Sequence, residues 1–330
     1  MTSPGVRRVT LDPSGVSFEQ APGQRLLEAA REAGLWLPFE CGWGSCGTCK
    51  ATLVSGEYEL VVPEAAAVSD RDARRGRILL CQSTATTDVT VKPLRVSTEP
   101  DPVRPVRLVA GSVVSVTEVG PGIVDVTVST GTAFTFRPGQ FAILRGPQEQ
   151  RRCYSFAGAP GEPQVRFVVK RYAGRPVSTW VALLSPGDDV AFEGPYGDVW
   201  LRDSDRPLLM IAGGSGISAI LSLVRDAAAR ATDRALTVVY GARSAADLAL
   251  VDELDALVRS HGQGRLVTVV ESGPARPGGR SGKVTDPLPE MDVAASDVYL
   301  AGPPAMVDAV DLVLLENGAG RDRLFVDRFG

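Results

Sequence analysis

Three cysteines fall within nine residues of this chain, Cys41, Cys46 and Cys49 in the stretch ECGWGSCGTCK, and a fourth, Cys81, follows after 31 intervening residues. C-x4-C-x2-C with a distant fourth thiol is the ligand spacing of a [2Fe–2S] cluster. Thiolates would hold the irons. Gly42, Gly44, Ser45, Gly47 and Thr48 between them are small enough for backbone N–H groups to approach the sulfides. A structural zinc site would give Cys81 a close companion, and it has none. Disulfides would suit a secreted chain, but no signal peptide is recognised, so reduced thiols in a cytoplasmic protein are expected.

The rest of the composition works mainly by exclusion. At 330 residues, two or three domains are expected. No apolar run reaches 18 residues, so no membrane association is expected, and a net charge of −4 without a basic patch argues against nucleic acid. The single histidine, His261, is expected on a surface loop. It excludes a Rieske centre, a two-histidine iron triad and paired Glu-x-x-His di-iron ligation, so an oxygen-activating metal would have to reside elsewhere.

Residues 7–18 alternate and predict a hairpin turning at Asp12–Gly15. Gln24 to Ala33 predicts a helix with Leu26, Leu27, Ala30 and Ala33 on one face and Gly34 as its stop. Strands at Ala51–Val54 and near Val89–Val91 complete a β-grasp pattern around the cysteine loop. Trp43, within that loop, reads equally as packing or as a contact for a partner. Residues 1–97 carry eleven basic and eleven acidic side chains.

Residues 97–105 hold three prolines and no apolar period, and read as a semi-rigid linker. Short strands follow at Arg107–Val116, Gly122–Val128, Phe141–Arg145 and Gln164–Lys170, separated in part by turn signals, and they predict an antiparallel β-barrel. Arg152-Cys153-Tyr154-Ser155 and, further on, Gly174-Arg175-Pro176-Val177-Ser178-Thr179 precede Glu193-Gly194-Pro195-Tyr196-Gly197. Cys153 alternates with Arg152 and Tyr154 and should point away from them.

From Arg206 strands alternate with helices: strands Leu208–Ala212, Ala235–Tyr240, Leu266–Val270 and Val298–Ala301, helices Ile217–Ala229, Ala246–Val258 and Pro304–Leu315. That is a doubly wound parallel sheet whose ligand lies across the carboxyl ends of its strands. Gly213-Gly214-Ser215-Gly216 after the first strand lets a backbone approach a pyrophosphate. It is not G-x-G-x-x-G. Arg243 follows the second strand, with Asp247 nearby, and the chain ends Leu324-Phe325-Val326-Asp327-Arg328-Phe329-Gly330.

These motifs, in this order, carry a resemblance. The head resembles ferredoxins, and R-x-Y-S followed by G-x-x-x-S resembles the ferredoxin–NADP reductase family. A-G-G-S-G-I with Y-L-A-G-P-P-A-M resembles that family's pyridine-nucleotide lobe, although Ala301 stands where the family usually has cysteine. Together they resemble the reductase components of bacterial multicomponent oxygenases, most of all those of soluble toluene, phenol, alkene and methane monooxygenases. The resemblance implies a [2Fe–2S] ferredoxin domain at 1–96, the linker 97–105, an FAD-binding barrel at 106–205 and an NAD(P)-binding domain at 206–330. It implies cluster ligation by Cys41, Cys46, Cys49 and Cys81. FAD contacts would come from Arg152, Tyr154, Ser155, Val169, Gly174, Val177, Ser178 and Thr179. Coenzyme contacts would come from Gly213, Gly214, Ser215, Gly216, Arg243, Gly302 and Pro303. Ser155 would lie near flavin N5 and Phe329 over the flavin ring, both with catalytic roles. The implied activity is electron transfer from NADH through FAD and the cluster to a separate oxygenase, by a monomeric flavoprotein. A Rieske-dioxygenase reductase or a deoxysugar-pathway reductase would share these domains, and a redox-sensing binding module is the non-enzymatic alternative.

Overall fold

The computed structural model describes residues 5–39, 42, 44, 46–61, 68–94, 104–147, 150–230 and 232–329. The chain divides into two compact units, residues 1–102 and 103–329. Cys41, Trp43 and the linker through residue 103 lie outside the described residues.

The first unit contains β1 (Arg7–Leu11), β2 (Ser17–Gln20), α1 (Leu26–Glu32), β3 (Lys50–Ser55), β4 (Tyr58–Leu60), α2 (Asp70–Ala73), β5 (Arg77–Leu79), β6 (Ser83–Ala85) and β7 (Val89–Pro93). Its main sheet has the order β2-β1-β7-β3-β5, with β1 and β7 parallel, and β4 pairs with β6 beside it. The expected hairpin, helix and two strands are all present. Leu26, Leu27, Ala29 and Ala30 of α1 are buried with Val9, Ala51, Ile78 and Val91. This apolar stripe on one helix face, laid on a twisted sheet, is the β-grasp architecture.

In the second unit, β8 (Arg107–Gly120), β9 (Ile123–Phe134), β10 (Phe141–Arg145), β11 (Arg151–Ser155), β12 (Glu162–Lys170), α3 (Pro176–Ala182) and β13 (Asp189–Tyr196) come first. The strands form an antiparallel sheet in the order β11-β10-β13-β8-β9-β12. A bridge between Phe156 and Phe167 joins its two ends. The expected barrel is therefore closed, over Phe134, Phe136, Phe156, Phe167 and Phe192.

The remaining elements are β14 (Leu208–Gly213), α4 (Ile217–Ala229), β15 (Leu236–Ala242), α5 (Val251–Ser260), β16 (Gly264–Val270), β17 (Arg280–Ser281), β18 (Asp297–Gly302), α6 (Pro304–Glu316) and β19 (Leu324–Arg328). All strands are parallel, in the order β17-β16-β15-β14-β18-β19. Two expectations are corrected here. The helix expected from Ala246 to Val258 is a short 3-10 turn (Ala245–Asp247) and then α5, separated by Leu250 at φ 54°. The break lets Leu248 and Ala249 bury, with the Ala249 carbonyl accepting from the Tyr240 hydroxyl at 3.2 Å. His261 lies in the turn after α5, as expected, but it is half-buried with its ring nitrogens shielded from solvent rather than displayed on the surface.

Barrel and nucleotide lobe share one apolar core, since Ile123, Ala157 and Val168 pack with Ile217, Ile220 and Val224 of α4 and its neighbours. Polar links cross the same seam. Ser218 Oγ donates to the Ser155 carbonyl at 2.6 Å and Ser222 Oγ to the Gly158 carbonyl at 2.9 Å. Arg166 on β12 makes bidentate contact with Asp125 of β9 and with Glu253 of α5, which also pairs with Arg225 of α4.

Candidate functional site

In the first unit the structure brings Cys49 and Cys81 together, both buried, with sulfurs 3.2 Å apart. Two thiolates sharing one tetrahedral metal at 2.3 Å lie about 3.7 Å apart, so this pair is placed to bind a single iron. Cys46 is half-buried, and its sulfur accepts the Thr48 backbone N–H at 3.4 Å. The loop carries Gly42, Gly44 and Gly47 at φ 64°, 90° and 75°. Such backbone turns N–H groups inward and tolerates no side chain easily. No set of three ligand-type side chains is gathered among the described residues, which exclude Cys41. The donors and the glycine-turned loop fit a [2Fe–2S] cluster. Behind the loop, Asp72 pairs with Lys50 at 2.8 Å and Arg77 at 2.6 Å. These partners hold its carboxyl well below the usual range despite burial.

In the second unit a cleft of about 220 Å³ opens at the carboxyl ends of the parallel strands. Of the expected residues, Gly213, Gly214, Ser215, Arg243, Pro303 and Phe329 line it. Gly216 packs beneath, where a Cβ would stand 2.2 Å from the Ala301 carbonyl oxygen. Only glycine allows the first turn of α4 to lie so close to β18. Lys170, Asp247 and Glu271 also line the cleft, and no motif in the sequence marks Lys170 or Glu271 for it. Burial would raise the Asp247 carboxyl, but the Ser244 hydroxyl at 2.8 Å and the Lys170 ammonium at 3.5 Å hold it below its ordinary value. Asp247 is thus a fixed, ionised acceptor in the 3-10 turn that follows β15.

On the barrel side, β11 carries Arg152, Tyr154 and Ser155, with Tyr154 packed against the barrel core. Burial raises the Tyr154 hydroxyl well above its ordinary value. Gly174 and Thr179 line a separate hollow with Trp180 and Leu183. Val169 and Val177 place their side chains in the barrel core, leaving only backbone for a ligand. Ser178 likewise spends its hydroxyl locally, donating to the Arg175 carbonyl and accepting the Tyr172 N–H, both at 3.2 Å.

The contact missed in the sequence is at the other end of β11. Ser155 Oγ donates to Asp327 Oδ2 at 2.5 Å, across 172 residues. Asp327 is buried, and desolvation pushes its pKa up to about 6 from 3.8, with the serine hydrogen bond opposing. Its strand is clamped in place: the Arg202 guanidinium lies 4.0 Å from the Trp200 ring centre and 4.7 Å from that of Phe325, which stacks on Tyr299 at 4.9 Å. Two residues beyond Asp327, the Phe329 N–H donates to the Gly302 carbonyl at 3.2 Å, which turns its ring into the cleft. The signal in the sequence was slight: one acid in an apolar terminal strand.

A cysteine-looped β-grasp unit and, in the other unit, a closed barrel and a parallel nucleotide lobe that share one cleft define an iron–sulfur flavoprotein oxidoreductase of the ferredoxin–NADP reductase architecture. Residues 9–86 match the 2Fe-2S iron-sulfur cluster binding domain, and residues 210–311 match the oxidoreductase NAD-binding domain. The ferredoxin–NAD(+) reductase component of the Xanthobacter autotrophicus alkene monooxygenase system is 35% identical over 96% of this chain and 98% of its own length. The reductase component of Rhodococcus jostii propane 2-monooxygenase is 32% identical over 98% and 91%. Among solved structures, the Amycolatopsis cytochrome P450 reductase GcoB superposes with a TM-score of 0.81 at 28% identity, covering 98% of this chain and 99% of its own. The chain belongs to the family of flavin-dependent ferredoxin–NAD(P) reductases that form the reductase components of oxygenase systems. Its cofactors are a [2Fe–2S] cluster, FAD and NADH.

Proposed function

We propose that this chain oxidises NADH and passes the electrons from its cluster-bearing head to a separate oxygenase component, a soluble di-iron monooxygenase acting on hydrocarbons or aromatics. The observation that carries the reading is the convergence in one unit of the cleft, Phe329 and the buried Ser155–Asp327 pair. Relatives serving alkene, propane and phenol monooxygenases favour a monooxygenase partner. Naphthalene 1,2-dioxygenase reductase of Pseudomonas putida, 30% identical over 97% of the chain, supports a Rieske oxygenase as the second reading. The lone histidine leaves oxygen activation to the partner in either case.

The domains follow as residues 1–96 for the cluster, 106–205 for FAD and 206–330 for the coenzyme, with 97–105 as linker. Cys41, Cys46, Cys49 and Cys81 hold the cluster. FAD, when bound, would supply the chemistry that takes one hydride, two electrons, from NADH and passes them on singly to the cluster. The protein's contribution is positional. Arg152 and the start of α3 hold the flavin diphosphate, and Tyr154 packs on its ring. Ser155 keeps a proton at Oγ, backed by Asp327. Gly213, Gly214, Ser215 and Gly216 receive the coenzyme diphosphate, and Gly302 and Pro303 border the nicotinamide. Phe329 closes the cleft until the nicotinamide displaces it. Asp247 accepts from an adenosine ribose hydroxyl and disfavours a 2′-phosphate, offsetting the nearby Arg243 cation. Among the described residues no helix is long and apolar enough to cross a membrane, and the reading places a monomer in the cytoplasm.

The test is anaerobic titration with NADH, followed by absorbance and EPR. Flavin and cluster bleaching together, with a rhombic reduced-cluster signal, is the expected result. Bleaching of the flavin without that signal would remove the cysteine loop from the scheme, and reduction by NADPH alone would assign the coenzyme to Arg243.

A further inference from the structure

Gln82 follows the last cluster ligand and is completely buried. Its backbone is fixed on both sides: its N–H donates to the Leu79 carbonyl at 2.9 Å, and its carbonyl accepts the Val61 N–H at 2.8 Å. The side-chain amide turns into the cysteine loop, with Nε2 3.4 Å from the Gly42 carbonyl oxygen and 3.9 Å from Cys81 Sγ. Oε1 is shielded from solvent and has no hydrogen-bond partner among the described residues.

Chemistry decides the orientation of this amide. A carbonyl oxygen and a thiolate are both acceptors, so the NH2 end must face them, and its two hydrogens suffice for both. Burying an amide with an unmet acceptor is unfavourable, and an apolar side chain of the same size would avoid it. Packing alone therefore does not account for glutamine here. The donor is useful where negative charge accumulates. A reduced cluster places more charge on its thiolates than an oxidised one, and hydrogen bonds to those sulfurs set the potential.

We propose that the Gln82 side-chain amide is a positioning residue of the iron–sulfur site, holding the Gly42 turn while donating to the Cys81 thiolate, and so favouring the reduced cluster. The proposal rests on Cys81 being a cluster ligand. In the full-length protein, Gln82→Leu removes both donors at similar volume. Wild type and variant are compared by EPR-monitored redox titration, with iron and sulfide content measured on the same samples. The expected result is an assembled cluster whose reduced-to-oxidised ratio, at the wild-type midpoint, falls between threefold and tenfold. Tenfold corresponds to about 59 mV for a one-electron couple. Gln82→Glu, which turns an acceptor toward the thiolate, should shift the ratio further in the same direction.

An assembled cluster with an unchanged midpoint would overturn the proposal. If Gln82→Leu fails to assemble a cluster, pulsed EPR of the reduced wild-type protein, grown with side-chain 15N-labelled glutamine, decides instead. A resolved 15N coupling supports the donor, and its absence overturns it. Wild-type protein with neither iron nor sulfide would overturn the cluster reading itself, a failure distinct from an unmoved potential.

Discussion

Replacing Asp327 by Asn tests the buried pair directly. In the folded chain this carboxyl titrates near 6, against 3.8 for the ordinary group. Because the folded pKa is raised, the folded state holds the proton more tightly than the unfolded chain does. Stability is therefore greatest below pH 3.8 and is lost as pH rises through about 6. The full difference of roughly two pKa units is about 3 kcal/mol at pH 8. Integrated between pH 5 and pH 8, it is about 1.4 kcal/mol. Asn keeps the shape and an acceptor for Ser155 Oγ but cannot ionise, so the variant should gain that amount on wild type across the interval. With an m-value of about 3 kcal/mol per molar urea, the gap between the two midpoints should widen by about half a molar. Urea unfolding at several pH values, followed by tryptophan fluorescence with flavin in excess, reads this out. All other titrating groups are shared and cancel. A gap that stays constant with pH would refute the reasoning, because the carboxyl would then titrate alike in both states.

Arg166→Met should destabilise the second unit by about 3–5 kcal/mol, since it leaves Asp125 and Glu253 partly buried without their shared cation. Thermal unfolding should show barrel and nucleotide signals falling together at a lower temperature. Asp72→Asn should narrow the acid-stability range of the first unit, because the wild-type carboxylate contributes stability above pH 3.8 that is lost only as pH falls through its depressed value. Circular dichroism of wild type and variant between pH 2 and pH 5 would show the two curves converging toward the acid end.

The chemistry-bearing motifs were legible because each is local. The cysteine spacing, Arg152-Cys153-Tyr154-Ser155 and the glycine loop of 213–216 each complete a backbone device within a few residues. Long elements with an uninterrupted period were legible too: α4 and β10 begin and end where their patterns do. Elements too short to show a period, such as β4, β6 and α2, were not. The break at Leu250 was hidden because Ala246 to Val258 has a good helical period. Tertiary burial of Leu248 and Ala249 overrides it. Gln82 and Asp327 were illegible for a different reason. Asp327 is placed by the register of β19 on β18 and Gln82 by the turn between β5 and β6, while their partners lie on β11 and in the cysteine loop, so neither contact can be read from one strand alone.

That the site closes across 172 residues also bears on how it is made. Ser155 and the whole barrel leave the ribosome well before β19, so for that interval the cleft has no Asp327 behind Ser155 and no Phe329 over it. A flavin captured during synthesis would meet an open, water-filled pocket. β19, translated after the rest of both lobes, converts that pocket into a guarded one, so its docking on β18 acts as a late step in assembling the redox centre.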